Sequence, residues 1–247
     1  GGSAQAQTRA PVGGAPQGNS VVITLSAHLQ GGSVILTPLF ASPSAQISDI
    51  SIDYSIPPCV QATFASPGGA SFSGARTVIP GLSPSSPPCS HQVLLSLCAM
   101  PPPGQPIRVT LTASYYDVPA MRAVRDVVQV PAKMLGFQSF IRPRAMTEQE
   151  FGGSWGAHGC ETKCEVPASF ASADAYVAAA RSVLNVQCVK VIGSEVICAG
   201  VLEGQGILLL HARVGTGKVD FIVRSQSDAF TRAAAACLPL LAGTVDL

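Results

Sequence analysis

Apolar residues between positions 20 and 134 come in short runs broken by proline, glycine and serine. Val21 to Leu25 is one run and Val34 to Phe40 the next. In Ile47 to Tyr54, Ile50, Ile52 and Tyr54 alternate with Asp49, Ser51 and Asp53. That two-residue period is the signature of a half-buried strand. Val60 to Phe64, Arg76 to Ile79, Val93 to Cys98, Ile107 to Thr112 and Val124 to Val130 extend the series. Proline clusters at 57–58, 87–88 and 101–103 fall between runs, where no ladder donor is lost. Short strands at this spacing predict an antiparallel β-sandwich of immunoglobulin-like type over residues 19–134.

The pattern changes near residue 135. Thr147 and Glu150 form an S/T-x-x-E capping box at the start of a short helix. This helix carries Phe151 and Trp155 four residues apart, hence on one face. Trp155 is the chain's sole tryptophan. Two large aromatics on one face make either a core wedge or a socket for a peptide. Gly152 and Gly153 weaken the helix by about 1 kcal/mol each relative to alanine. Residues 156–167 read as a loop. Ser172 caps a second helix, with Asp174 in its first turn and Tyr176, Ala180, Val183 and Leu184 on its apolar face. Four apolar runs follow, Val186 to Ile192, Val196 to Leu202, Ile207 to Val214 and Val219 to Val223, separated by glycine-bearing turns. They predict a four-stranded meander. A last helix from Ser227-Asp228 presents Phe230, Ala234, Cys237, Leu238 and Leu241. The fold class is thus mainly β with α+β: a sandwich, then a platform over residues 135–247. Helices before and after an antiparallel sheet are expected to cover one face and leave the other open.

Residues 1–18 are Gly, Ala, Gln and Pro with almost no bulky apolar residue, the composition of a flexible linker. The start lacks an initiator Met and a secretory signal pattern, so the chain reads as a piece of a longer one. The formal net charge of +1, without a basic run, argues against nucleic acid or an anionic membrane as a direct partner. No apolar run reaches the ~20 residues that a bilayer span needs. The eight cysteines read as buried or free thiols of a reducing compartment in preference to four disulfides.

Candidate chemistry is sparse. His158-x-Cys160-x-x-x-Cys164 is metal-like, but a zinc site wants four ligands and no second close pair is present. None of His28, His91, His158 and His211 sits in a nucleophile signature. Gly215-Thr216-Gly217-Lys218 lacks phosphate-loop spacing and precedes a strand, so it reads as a hairpin. His211 and Arg213 share a strand face, and Arg224 ends the next strand. Together they either line the sheet's open face beside the aromatic helix or form an ordinary solvated face. No catalytic residue, metal or cofactor is assigned.

The order of these pieces resembles the C-terminal appendage, or ear, of the large subunits of clathrin-type adaptor complexes. Thr147 to Trp155, reading Thr-Glu-Gln-Glu-Phe-Gly-Gly-Ser-Trp, looks like that family's opening platform helix. Val189 to Glu195, Leu208 to Val214 and Phe221 to Ser225 look most like the epsilon class, that of adaptor protein complex four. The resemblance implies a non-enzymatic module that docks short linear motifs of accessory proteins during coated-vesicle formation and intracellular protein transport. It implies other adaptor subunits as partners through the rest of the parent chain. The location it implies is cytoplasmic, peripheral on coated vesicles or trans-Golgi network membranes, with only indirect membrane contact. It also implies a peptide-binding socket: Phe151 and Trp155 match the family's helix aromatics and Arg224 matches a basic residue of the last strand. His211 falls at a position that relatives fill with arginine, and Arg213 lies one strand step away. The competing readings are a structural module that braces a coat without a platform ligand, and a thiol- or metal-dependent enzyme built on His158, Cys160 and Cys164.

Overall fold

A computed structural model describes residues 20–65, 70–102 and 105–242. Residues 1–18, expected to be a linker, lie outside the described residues. The described residues of Gly1–Ala99 and Arg108–Leu135 form one compact unit, and those of Met100–Ile107 and Gly136–Leu247 a second.

The first unit is built of β1 (Val22–Gln30), β2 (Ser33–Ala41), β3 (Ile47–Ser55), β4 (Val60–Ala65), β5 (Ser71–Ser73), β6 (Arg76–Ile79), β7 (Cys89–Ser90), β8 (Gln92–Leu97), β9 (Thr110–Asp117) and β10 (Arg122–Gln129). One antiparallel sheet runs β1-β2-β8-β4, with β7 beside β2, and the other β10-β9-β3-β6-β5. Leu25, Leu36, Phe40, Val93 and Leu95 of the first sheet and Ile50, Ile52, Leu111 and Ala113 of the second are wholly buried. Strict alternation along β3 would turn Ile47 away from Ile50. A register shift between Ser48 and Ser51, with Asp49 in the left-handed region at φ 52°, lets both face inward.

His91 sits inside this sandwich. Tyr54 Oη lies 2.5 Å from its Nε2, and Phe40 stacks on its ring at 5.8 Å. Burial lowers its pKa from 6.5 to about 4. Between those values the unfolded chain binds the additional proton, so stability falls as pH drops through this window. The loss approaches about 3 kcal/mol by pH 4. Denaturant titrations at steps from pH 7 to pH 4 are expected to show this slope. His91→Phe, which keeps ring volume but cannot titrate, is expected to flatten it while lowering stability at pH 7, because the Tyr54 hydroxyl loses its partner.

The second unit contains β11 (Arg142–Pro143), α1 (Glu148–Ala157), β12 (Cys160–Val166), α2 (Ala173–Leu184), β13 (Gln187–Ile192), β14 (Glu195–Leu202), β15 (Gly206–Val214), β16 (Val219–Ser225) and α3 (Asp228–Ala235). Its antiparallel sheet runs β11-β14-β15-β16-β12, with β13 also paired to β14. The expected meander is β13 to β16, and its turns place Gly193 at φ 61° and Gly217 at φ 79°. Three expectations change. Residues 156–167 are not all loop, because β12 pairs along its whole length with β16, from Cys160↔Ser225 to Val166↔Val219. The last helix stops at Ala235, and a 3-10 turn, Leu238–Ala242, continues past it. Pro239 falls inside that turn, where a regular helix would lose a hydrogen bond. The helices also do not all lie on one face.

Strand register explains that division. Val196, Cys198, Leu210, Ala212, Phe221 and Val223 face one side and are buried. Tyr176 of α2 meets Phe221 there at 6.1 Å. Thr231 of α3 bonds the Cys160 carbonyl at the same side. The opposite face carries Ala199, Leu209, Ile197, His211, Ile222, Arg213 and Arg224, and α1 packs against only part of it.

Candidate peptide-docking site

The capping box read from the sequence closes α1. The Thr147 hydroxyl accepts the Glu150 N–H at 3.2 Å, and the Glu150 carboxylate accepts the Thr147 N–H at 2.6 Å. Bonds to its carboxylate from the Thr147 N–H and hydroxyl hold the Glu150 pKa below the usual carboxylate range. Helical periodicity then turns Phe151 and Trp155 toward the sheet. Phe151 is buried with Ala199 and Leu209, and Met146, Val189, Ile197 and Ile207 pack around this cluster.

Trp155 belongs to the same cluster but is only half-buried. It stacks on Phe151 at 5.4 Å with an interplanar angle of 20°. His211 meets it edge-on at 6.1 Å. The Arg224 guanidinium carbon lies 4.6 Å from the ring centroid, a cation–π distance. Arg224 also donates from Nη1 to the Trp155 carbonyl at 2.8 Å. Its Nε and Nη2 both reach Glu161 Oε2, at 2.7 and 2.5 Å. Hydrogen bonding from Arg224 holds the Glu161 carboxyl below its ordinary pKa.

Phe151, Trp155, His211 and Arg224 are therefore brought together. Arg213 is exposed one row farther along, in register between Glu195 and Asp220. His211 Nε2 lies 3.3 Å from Glu195 Oε2. The registered row Lys163, Ile222, His211, Ile197 and Lys190 crosses the sheet. Ile222 and Ile197 flank His211 there, an apolar floor beside the aromatic helix. Sequence reasoning missed Glu161, because it fell in the expected loop. The signal was present: Glu161, Lys163 and Glu165 alternate with Cys160, Thr162 and Cys164, the two-residue period of a strand. Gly152 and Gly153 are exposed, and a Cβ on either would meet no atom within 4 Å. A side chain at either position would project into solvent.

The metal-like cluster does not converge. Cys160 and Cys164 lie four residues apart on an extended strand, about 13 Å. Among the described residues no group of three His, Cys, Asp or Glu is placed to hold a metal ion. His158 is buried at the end of α1, and neither ring nitrogen finds a partner among the described residues. No disulfide joins the cysteines. Burial raises the Cys164 thiol pKa and pushes Cys198 and Cys237 up to about 12, opposite to the activation a nucleophilic thiol needs. No helix of the described residues is long and apolar enough to cross a membrane.

The first unit is thus a β-sandwich, and the second a sheet with helices on both faces whose partly open face gathers aromatic and basic side chains. In comparison with known families, residues 143–238 match the family model described as adaptin AP4 complex epsilon appendage platform. Over those residues the chain is similar to the platform of an adaptor appendage. No curated protein matches it by sequence. Among solved structures, it is similar to the GAE domain of GGA2p from Saccharomyces cerevisiae, with 13% identity and a TM-score of 0.33 over 51% of this chain and 98% of that one. It is also similar to a yeast GGA1 GAE domain, with 13% identity and a TM-score of 0.36 over 50% of this chain and 98% of that one.

The exposed glycines give a test of how α1 is built. Gly152→Ala and Gly153→Ala are expected to raise stability, by up to about 1 kcal/mol each, because they add helix propensity without a clash. Thermal melts with Trp155 fluorescence check this. A destabilising effect would mean that the glycines serve a close contact.

Proposed function

We propose that the platform docks short linear motifs of accessory proteins, without catalysis, during coated-vesicle formation and intracellular protein transport. The observation that carries this reading is the state of Trp155: supported from below by Phe151, yet half-buried at the border of an uncovered sheet face. A tryptophan that served only as a core wedge would be enclosed. In this reading Phe151 is the brace, Trp155 the anchor surface and His211 the edge of the socket. Arg224 holds the indole, and Arg213 offers a cation at the far side. The parent chain's other parts join it to the remaining adaptor subunits, and membranes are reached only through that complex. The site of action is then the cytoplasmic face of coated vesicles or the trans-Golgi network.

Affinity from such a socket is modest. Burying one apolar anchor contributes about 1.5–3 kcal/mol. With a few hydrogen bonds, and after ordering costs, the result is roughly micromolar binding or weaker. Selectivity then comes from several weak contacts acting together.

Peptides selected from a displayed random library on the purified chain test the reading. Trp155→Ala is expected to abolish their binding while shifting the melting temperature little. Phe151→Ala is expected to cost about 3 kcal/mol of stability, because its whole ring is enclosed. Unchanged binding by a folded Trp155→Ala variant would refute the socket.

A further inference from the structure

Resting on the reading of the platform as a peptide-docking face, we infer that Glu161 is its charge-selecting residue: its carboxylate occupies Arg224 and makes the socket refuse acidic segments beside Trp155. The basis is the use of each donor. Arg224 spends Nε and Nη2 on Glu161 Oε2 and Nη1 on the Trp155 carbonyl. Three of the five guanidinium N–H groups are thus engaged, and the Nε–Nη2 fork is taken by Glu161, so a ligand carboxylate could occupy that fork only by displacing Glu161. Arg224 is half-buried and Glu161 lies on the exposed edge strand, with side-chain exposures of 26% and 28%. Glu161 draws a second cation as well, Lys163 Nζ at 3.4 Å.

The rest of this region follows the same rule. Lys190 reaches Glu148 at 2.6 Å. Lys218 reaches Glu165 at 2.5 Å and Asp220 at 3.4 Å. His211 faces Glu195. Arg213 has no ion pair among the described residues, but it stands a row away from the indole's support and between two acidic residues in register. A carboxylate brought to the Arg224 fork beside Trp155 would therefore meet the charge of Glu161. An uncharged segment meets an apolar floor of Ile197 and Ile222 and loses nothing.

The test uses capped nine-residue peptides with Phe fixed at the centre and the outer positions randomised among Ala, Ser, Leu and Val. One pool has Asp on both sides of the Phe and the other Asn. An equal mixture is passed over the immobilised chain, and the retained ratio is read by mass spectrometry. Fluorescence of Trp155, the only tryptophan, reports occupancy of the socket. Wild type is expected to retain the Asn pool preferentially. Glu161→Gln is expected to shift the ratio toward Asp by about fivefold or more. Glu165→Gln, which removes the same charge at the far end of β12, and Glu161→Asp, which keeps the carboxylate, are expected to stay near the wild-type ratio. The inference is overturned if wild type prefers the Asp pool, or if Glu161→Gln behaves like Glu165→Gln. If neither pool is retained and the Trp155 emission is unmoved, the docking reading itself fails and the inference with it.

Discussion

The packing of Phe151 against Ala199 and Leu209 is the contact on which the site depends. It holds a short helix with three glycines, of low intrinsic stability, against the sheet. It sets the height at which Trp155 leaves the core, and so the exposure of the indole. The capping box fixes where that helix begins, and hence which residues face the sheet. With both in place, Arg224 from β16 reaches over the ring and His211 from β15 meets its edge.

Much of this was legible in the sequence, for a physical reason in each case. The capping box and the i, i+4 aromatics specified α1, because side-chain caps and helical periodicity are local properties. The glycine-punctuated apolar runs specified the meander. β12 was not legible in the same way. Its period is clear, but three of its seven positions carry charge and the others are Cys, Thr and a single Val, so it looks like a loop until β16 is seen to pair with it. The bulge in β3 was hidden for the opposite reason. The alternation of Ile50, Ile52 and Tyr54 leaves Ile47 out of phase, and burying it takes a register shift with Asp49 in the left-handed region.

The candidate site was legible as a set of residue types and not as an arrangement of charges. Phe151, Trp155, His211 and Arg224 come together as the strand register demands. What sequence alone left out is the acidic neighbour of each basic side chain. Glu161, Glu148 and Glu195 reach Arg224, Lys190 and His211 across strands or from a helix, through contacts that separate residues by 16 to 63 positions. An arginine in a sequence is an available cation until its partner is located. Here the cation stacked on Trp155 is already paired with Glu161.

The most direct measurement is a crystal structure of the chain with a library-selected peptide bound. The account predicts an apolar peptide side chain against the Trp155 indole, lying on the face formed by Ile197, His211 and Ile222, with the Arg224–Glu161 pair intact. A peptide bound elsewhere, with the Trp155 surroundings unchanged, would contradict it.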